Sequence, residues 1–252
     1  MSTLEDYVVK CLENFSVIAT KIPESNEKTP DFLIEQEESV LIELKEKTDS
    51  EEKHEEQKEV FAQNNVYEHI ATTGHNNRIS GVITGGMKQL KNRKSKHNCD
   101  FCLLFLVTNG VAQGSQAEQI QATLYGKKNV IDFDSQSNVA TSCYYAYFSD
   151  FFRYKDTLDG AFLASKGRLI LLLNDQSPNF ERFKNSNFIK KFQDKISIID
   201  PVELEKDNHI YIADFDADRK NEALMTSLVF EKYNIKKGLL IDFPNYTHQA
   251  QV

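Results

Sequence analysis

Tryptophan is absent from this sequence, proline occurs five times and cysteine four times in 252 residues. Without tryptophan, the 17 phenylalanines carry much of the aromatic volume, and a hydrophobic content of 40% is enough for a sizeable core. Global disorder is excluded on that ground. Four cysteines in a chain of this length do not make a disulfide scaffold. Cys99 and Cys102 form a C-x-x-C pair, with Cys11 and Cys143 far away in sequence. An iron–sulfur or zinc site would call for a second close pair, so buried free thiols are expected.

Long apolar runs are also missing. The longest, FCLLFLV at residues 101–107, is the size of a strand and far short of the roughly 18 residues of a membrane helix. The first ten residues, MSTLEDYVVK, bring acidic groups where a secretory signal would place positive charge. These features predict a soluble cytoplasmic protein without membrane association. Acidic residues outnumber basic ones, 38 to 30, for a formal net charge of −8. A general nucleic-acid binder would carry the opposite sign. Charge is uneven, however. Residues 35–60 are rich in glutamate, which reads as a solvated face or loop, whereas KQLKNRKSKH at 88–97 is strongly basic. A local basic groove is compatible with an acidic mean.

Apolar residues at helical spacing, Leu4, Val8, Cys11, Leu12 and Phe15, predict a helix over 3–16 capped by Ser2 or Thr3. SVIATKI at 16–22 is a short strand candidate, and PESNEKTP at 23–30 has turn chemistry. Two strands, DFLIEQ and SVLIELKEK, then fold into a hairpin around Glu37 and Glu38. The polar stretch 48–78 is expected to be a mobile segment with a helix near EVFAQNNVYEHIA. RISGVITGGMKQLKNRKSKH reads as a helix that Gly85 and Gly86 weaken, and DFCLLFLVTNG as a buried strand. Further on, a helix is expected near AEQIQATLYG. Strands are expected near KNVIDF, ATSCYYAYF, GRLILLLN, HIYIADF and KGLLIDF. Two more helices should fall near NFERFKNSNFIKKFQ and DRKNEALMTSLVFEKY, the second capped by Asp218. The division expected is a core over 1–110 and an extension over 111–252, either a second lobe or a continuation of the same sheet.

The hairpin carries charges where a core pattern should run. Side chains alternate across a strand, so Val40, Ile42 and Leu44 point to one face and Leu41, Glu43 and Lys45 to the other. The turn places Asp31 opposite Glu43 or within one residue of it. Two carboxylates at a sheet end form a hard-oxygen site suited to a magnesium-sized cation, with the Leu44 carbonyl as a further ligand. A lysine beside them can contact a scissile phosphate or help activate water.

Pro30-Asp31 followed by Glu43-Leu44-Lys45 across a hairpin resembles the signature of the PD-(D/E)XK nuclease superfamily. The resemblance covers about the first 110 residues, in the order helix, three antiparallel strands, helix, strand. It implies an α/β fold, a restriction-endonuclease-like mixed sheet flanked by helices, here with a C-terminal α+β extension. It implies a Mg2+- or Mn2+-dependent hydrolysis of phosphodiester bonds, DNA being favoured. Asp31 and Glu43 would bind metal and Lys45 would serve the nucleophilic water. Many members add a glutamate from the first helix, for which Glu5 fits better than Glu13. Members also place a glutamine and basic residues on the helix after the lysine strand. Gln89 fits that role, with Lys88, Lys91, Arg93 and Lys94 as nucleic-acid contacts. The alternative is a catalytically silent relative that binds nucleic acid or a protein partner in a larger, defence-type assembly. A homodimer is a further expectation for either reading.

Other patterns point elsewhere. DFDADRKNE at 214–222 spaces three aspartates like the start of a calcium loop, but Arg219 and Met225 stand where that loop needs glycine and glutamate. The histidine in GHNNR has no partner at ligand spacing. The aromatic run YYAYFSDFFRY reads as an alternating strand entering the core.

Overall fold

The computed structural model describes residues 3–23, 29–94, 96, 98–135, 139–242 and 246–250. The chain begins with helix α1 (Leu4–Glu13) and strands β1 (Thr20–Lys21), β2 (Phe32–Glu35) and β3 (Ser39–Thr48). Helix α2 (Glu51–Ala62), strand β4 (Tyr67–Ala71), helix α3 (Asn77–Lys94) and strand β5 (Phe101–Asn109) follow. Next come α4 (Gln113–Tyr125), β6 (Lys128–Asp132), β7 (Thr141–Tyr144), α5 (Asp150–Arg153), β8 (Gly160–Ser165) and β9 (Arg168–Leu173). The remainder is α6 (Phe180–Lys184), α7 (Asn187–Lys190), β10 (Ser197–Ile199), α8 (Pro201–Lys206), β11 (Ile210–Ile212), α9 (Glu222–Lys232), β12 (Gly238–Ile241) and β13 (Tyr246–Ala250). The class is α/β, as expected.

Two compact units divide the chain, each made of three segments. The first joins Met1–Glu46, Gly81–Val107 and Phe151–Asp200; the second joins Lys47–Ser80, Thr108–Asp150 and Pro201–Val252. Residues 111–252 divide between the two units, and 151–200 continue the sheet of the expected core, one of the two alternatives for the extension. The reason is strand pairing. β8, β9 and β10 complete the sheet begun by the hairpin, in the order β1-β2-β3-β5-β8-β9-β10. β1, β2 and β3 pair antiparallel, β5 and β8 parallel, β8 and β9 antiparallel.

One face of this sheet is closed by α1 and the phenylalanine-rich helices α6 and α7. Val8 and Leu12 of α1 pack with Phe32, Ile34, Val40, Ile42, Phe162, Phe183 and Phe192, all nearly or fully buried. Each such side chain contributes about 1.5–3 kcal/mol of transfer free energy. α1 starts in a reciprocal cap: the Asp6 N–H donates to Thr3 Oγ1 at 3.2 Å and the Thr3 N–H donates to Asp6 Oδ2 at 3.0 Å. Of the two cap candidates, Ser2 lies outside the described residues. The hairpin turn is anchored by Glu38, whose carboxylate accepts the Asn187 and Phe188 N–H groups at the start of α7.

The second unit contains a four-stranded sheet, β11-β7-β6-β12, and the ribbon β13-β4. Here several expectations change. The stretch EVFAQNNVYEHIA is the end of α2, a turn and β4, because Asn64 adopts a positive φ of 55° that stops the helix. The aromatic run is a strand only as far as Tyr144; Tyr145, with φ 61°, turns the chain away. Helix α9 is capped by Asn221, which accepts the Leu224 N–H, and not by Asp218. Cys99, Cys102 and Cys143 are buried free thiols, and Cys11 is half-buried. Among the described residues no helix is long and apolar enough to cross a membrane.

Candidate active site

The β2–β3 register pairs Phe32 with Ile42 and Leu33 with Leu41. One step further this brings Asp31 beside Glu43, at the open end of the hairpin. The Leu44 N–H donates to Asp31 Oδ2 at 2.7 Å, which pins the aspartate to the strand it faces. Glu43 is completely buried, and its Oε1 accepts from the Lys45 ammonium in an ion pair. Lys45 Nζ also donates to Gln89 Oε1 at 3.1 Å, and Gln89 Nε2 donates to the Thr29 carbonyl at 3.0 Å. Gln89 of α3 thus ties the lysine to the chain just ahead of Asp31. All of these groups belong to the first unit.

Helix α3 approaches this face closely because position 86 has no side chain. A β-carbon there would lie 3.0 Å from Glu43 Cγ, 3.0 Å from Leu104 Cδ2 and 3.4 Å from Lys45 Cε. Gly85 has nothing within 4 Å. Of the two glycines in the helix, only Gly86 serves the close approach. Its place is a functional feature that the hairpin motif does not announce; the pair of glycines inside a helix was its signal.

Two carboxyls compete for little positive charge. Burial pushes Glu43 up to about 8 from its ordinary 4.5; Lys45 opposes this and the nearby Asp31 adds to it. Burial also raises Asp31, against the Leu44 N–H and Lys45, and the charge of Glu5 adds to the rise. The folded chain therefore holds the Glu43 proton more tightly than the unfolded chain between pH 4.5 and 8, and stability falls as pH rises through that window. Glu43→Gln is expected to be more stable than the wild type at pH 9, by on the order of 1–3 kcal/mol, and nearly equal to it at pH 4. Urea denaturation in EDTA at the two pH values measures this.

The other expected site residues are placed less uniformly. Glu5 lies near enough for its charge to reach Asp31, but its Oε2 is 3.1 Å from Lys21 Nζ, which also binds Asp6. Gln89 is in the site. Arg93 lies one turn further along the same helical face, with its Nε buried and without a hydrogen-bond partner. Lys88 and Lys91 are exposed, and Lys91 sits over the Tyr154 ring at 5.3 Å. Lys94 Nζ donates to the Asp156 carbonyl. The basic run is thus split, and only Gln89 of that set touches the hairpin charges.

The fit to a divalent cation turns on one atom. Glu43 Oε2 is buried with no N–H or hydroxyl donor on it, and while Glu43 holds its proton the two carboxyls share it, Glu43 donating to Asp31. A fully buried carboxylate oxygen left without a donor is uncommon and costly. Together with Asp31 it offers hard oxygens, which suits magnesium, an ion that commonly uses one or two carboxylates and retains waters. Among the described residues no group of three or more His, Cys, Asp and Glu side chains is placed to hold a metal ion. Comparison of the chain with protein-family models, with curated proteins and with solved structures gives no match.

Proposed function

We propose that this chain is a divalent-metal-dependent phosphodiesterase acting on nucleic acid, DNA being the favoured substrate, in the cytoplasm. The observation that carries the reading is the buried Glu43 carboxyl crowded against Asp31 and paired with Lys45 at the end of one hairpin. Asp31, Glu43 and the Leu44 carbonyl are the groups that would hold Mg2+ or Mn2+, with Glu5 behind them. When bound, such a cation polarises a phosphoryl oxygen and stabilises the charge that builds on it. Lys45 presents its ammonium at a position set by Glu43 and Gln89, where it can bind a phosphate oxygen or donate to and orient the attacking water. α3, seated on Gly86, shields one side of the pair from solvent and strengthens every charge interaction there.

Incubation of plasmid, single-stranded DNA and RNA with Mg2+, Mn2+ or EDTA tests the proposal. Cleavage with either cation and none in EDTA is expected. No cleavage of any substrate under any of these conditions would leave the reading without support. Cation binding has its own readout. At about a hundredfold excess over its Kd, Mg2+ or Mn2+ should add about 2.7 kcal/mol of stability. The melting temperature should rise accordingly, return in EDTA, and stay unmoved in Asp31→Asn.

A second reading is favoured by the Lys45–Glu43 pair itself. An ammonium resting on the metal-facing carboxylate compensates its charge without any cation. In a catalytically silent relative that binds nucleic acid or a protein partner, that pair would be permanent. Such a protein would bind an oligonucleotide with equal affinity in Mg2+ and in EDTA.

A further inference from the structure

The second unit holds a cavity of about 170 Å³ whose walls include Lys47, Asp49, Lys53, Arg78, Ser115 and Gln116. Gln116 is 4% exposed, and both ends of its carboxamide, Oε1 and Nε2, are buried without a hydrogen-bond partner. Folded proteins rarely leave a buried amide wholly unpaired. The neighbouring amides are satisfied: Gln119 Nε2 donates to the Thr72 carbonyl and its Oε1 accepts from Asn76 Nδ2. Gln116 alone among them waits for one donor and one acceptor. Gly110 makes room for it, since a β-carbon there would lie 2.0 Å from Gln116 Nε2 and 2.5 Å from Asp49 Oδ2.

The charge around that amide is positive. Lys47, Lys53 and Arg78 face one carboxylate, Asp49. Asp49 is already engaged: its Oδ2 accepts the Val111 N–H at 2.9 Å and its Oδ1 lies 3.8 Å from Lys53 Nζ. Two helices also begin at this cavity. α3 is capped by Asn76 Oδ1, which accepts the Arg78 and Ile79 N–H groups. α4 begins at Ala112, which provides no side-chain cap. Helix starts carry partial positive charge and attract anions, phosphate above all.

We infer that this cavity binds a sugar phosphate, as carried by a nucleotide. The phosphate sits among Lys47, Lys53 and Arg78 and accepts from Gln116 Nε2. A sugar hydroxyl donates to Gln116 Oε1. The cavity is smaller than the roughly 300 Å³ at which pockets enclosing whole small ligands begin, so the base stays outside and is not read. This site is built from other residues than the hairpin charges and does not rest on the nuclease reading.

Calorimetric titration of the full chain in EDTA, with inorganic phosphate, ribose 5-phosphate and adenosine 5′-monophosphate, tests it. Ribose 5-phosphate and the nucleotide should bind within about threefold of each other, and inorganic phosphate at least about tenfold more weakly. Gln116→Leu should weaken ribose 5-phosphate about tenfold without lowering the melting temperature, since it replaces an unpaired amide by an apolar group. Arg78→Ala, at an exposed position, should weaken all three ligands and lessen their dependence on salt. The inference is overturned if ribose 5-phosphate does not bind, if inorganic phosphate binds as tightly as it does, or if Gln116→Leu binds like the wild type. Cleavage assays play no part, so this result and that of the nuclease test are separate.

Discussion

Lys45→Ala is expected to lower metal-dependent cleavage by about 10²–10⁴-fold, the span typical of losing one positioned acid–base or charge-stabilising group. The ammonium is the only one in hydrogen-bond contact with Glu43 and Gln89 among the described residues, and its side chain is 24% exposed. Truncation therefore opens no large cavity. It does leave Glu43 without its counter-charge, and the carboxyl answers by holding its proton still more strongly. The variant should remain folded, which circular dichroism and its melting curve will establish beside the rate. Cutting at the wild-type rate by a folded Lys45→Ala protein would remove Lys45 from the mechanism, and with it the assignment of the hairpin.

Gly86→Val should be destabilising by about 1–3 kcal/mol and should disable the site with it. The added atoms enter space held by Glu43 Cγ and Leu104 Cδ2, both fixed by the buried strands β3 and β5. α3 can then keep its helix only by lifting from the sheet, which withdraws Gln89 from Lys45. Gly85→Ala is the control: with nothing within 4 Å it should stabilise by about 0.5–1 kcal/mol through helix propensity alone. Urea denaturation of the two variants separates the cases. Equal effects at the two positions would mean that α3 does not press on the carboxylates as described.

The core of the site was legible because strand alternation is a rigid rule. Once VLIELK is a strand, Glu43 and Lys45 must share a face, and the short turn brings Asp31 to them. What the motif could not convey was the helix phase. Whether Gly85 or Gly86 meets the sheet, and whether Gln89 or Lys88 reaches Lys45, depends on how α3 is rotated against β3 and β5. That rotation is set by packing of residues 44 positions apart and leaves no local trace. The elements missed have similar causes. β8, GAFLAS, sets Phe162 and Leu163 among four small residues with little β preference and is a strand because β5 and β9 hold it on both sides. The stretch read as one helix near NFERFKNSNFIKKFQ is two, because Ser186 accepts the Ile189 N–H and restarts the turn. α2 buries none of its residues and has no apolar stripe to read.

The pairing of β8 with β5 bears on how this polypeptide is made. A ribosome delivers the hairpin and its three charged groups long before it delivers residues 160–199, the strands that finish the sheet on which that hairpin rests. Until they emerge, β5 has an open edge and the phenylalanines of α6 and α7 are not yet there to cover α1. The hairpin charges lie on the opposite face, against Gly86 of α3 and Leu104 of β5, so their shield is delivered before the strands that complete the sheet. On this ordering the charged cluster is assembled first and the outer strands that brace it are added afterwards.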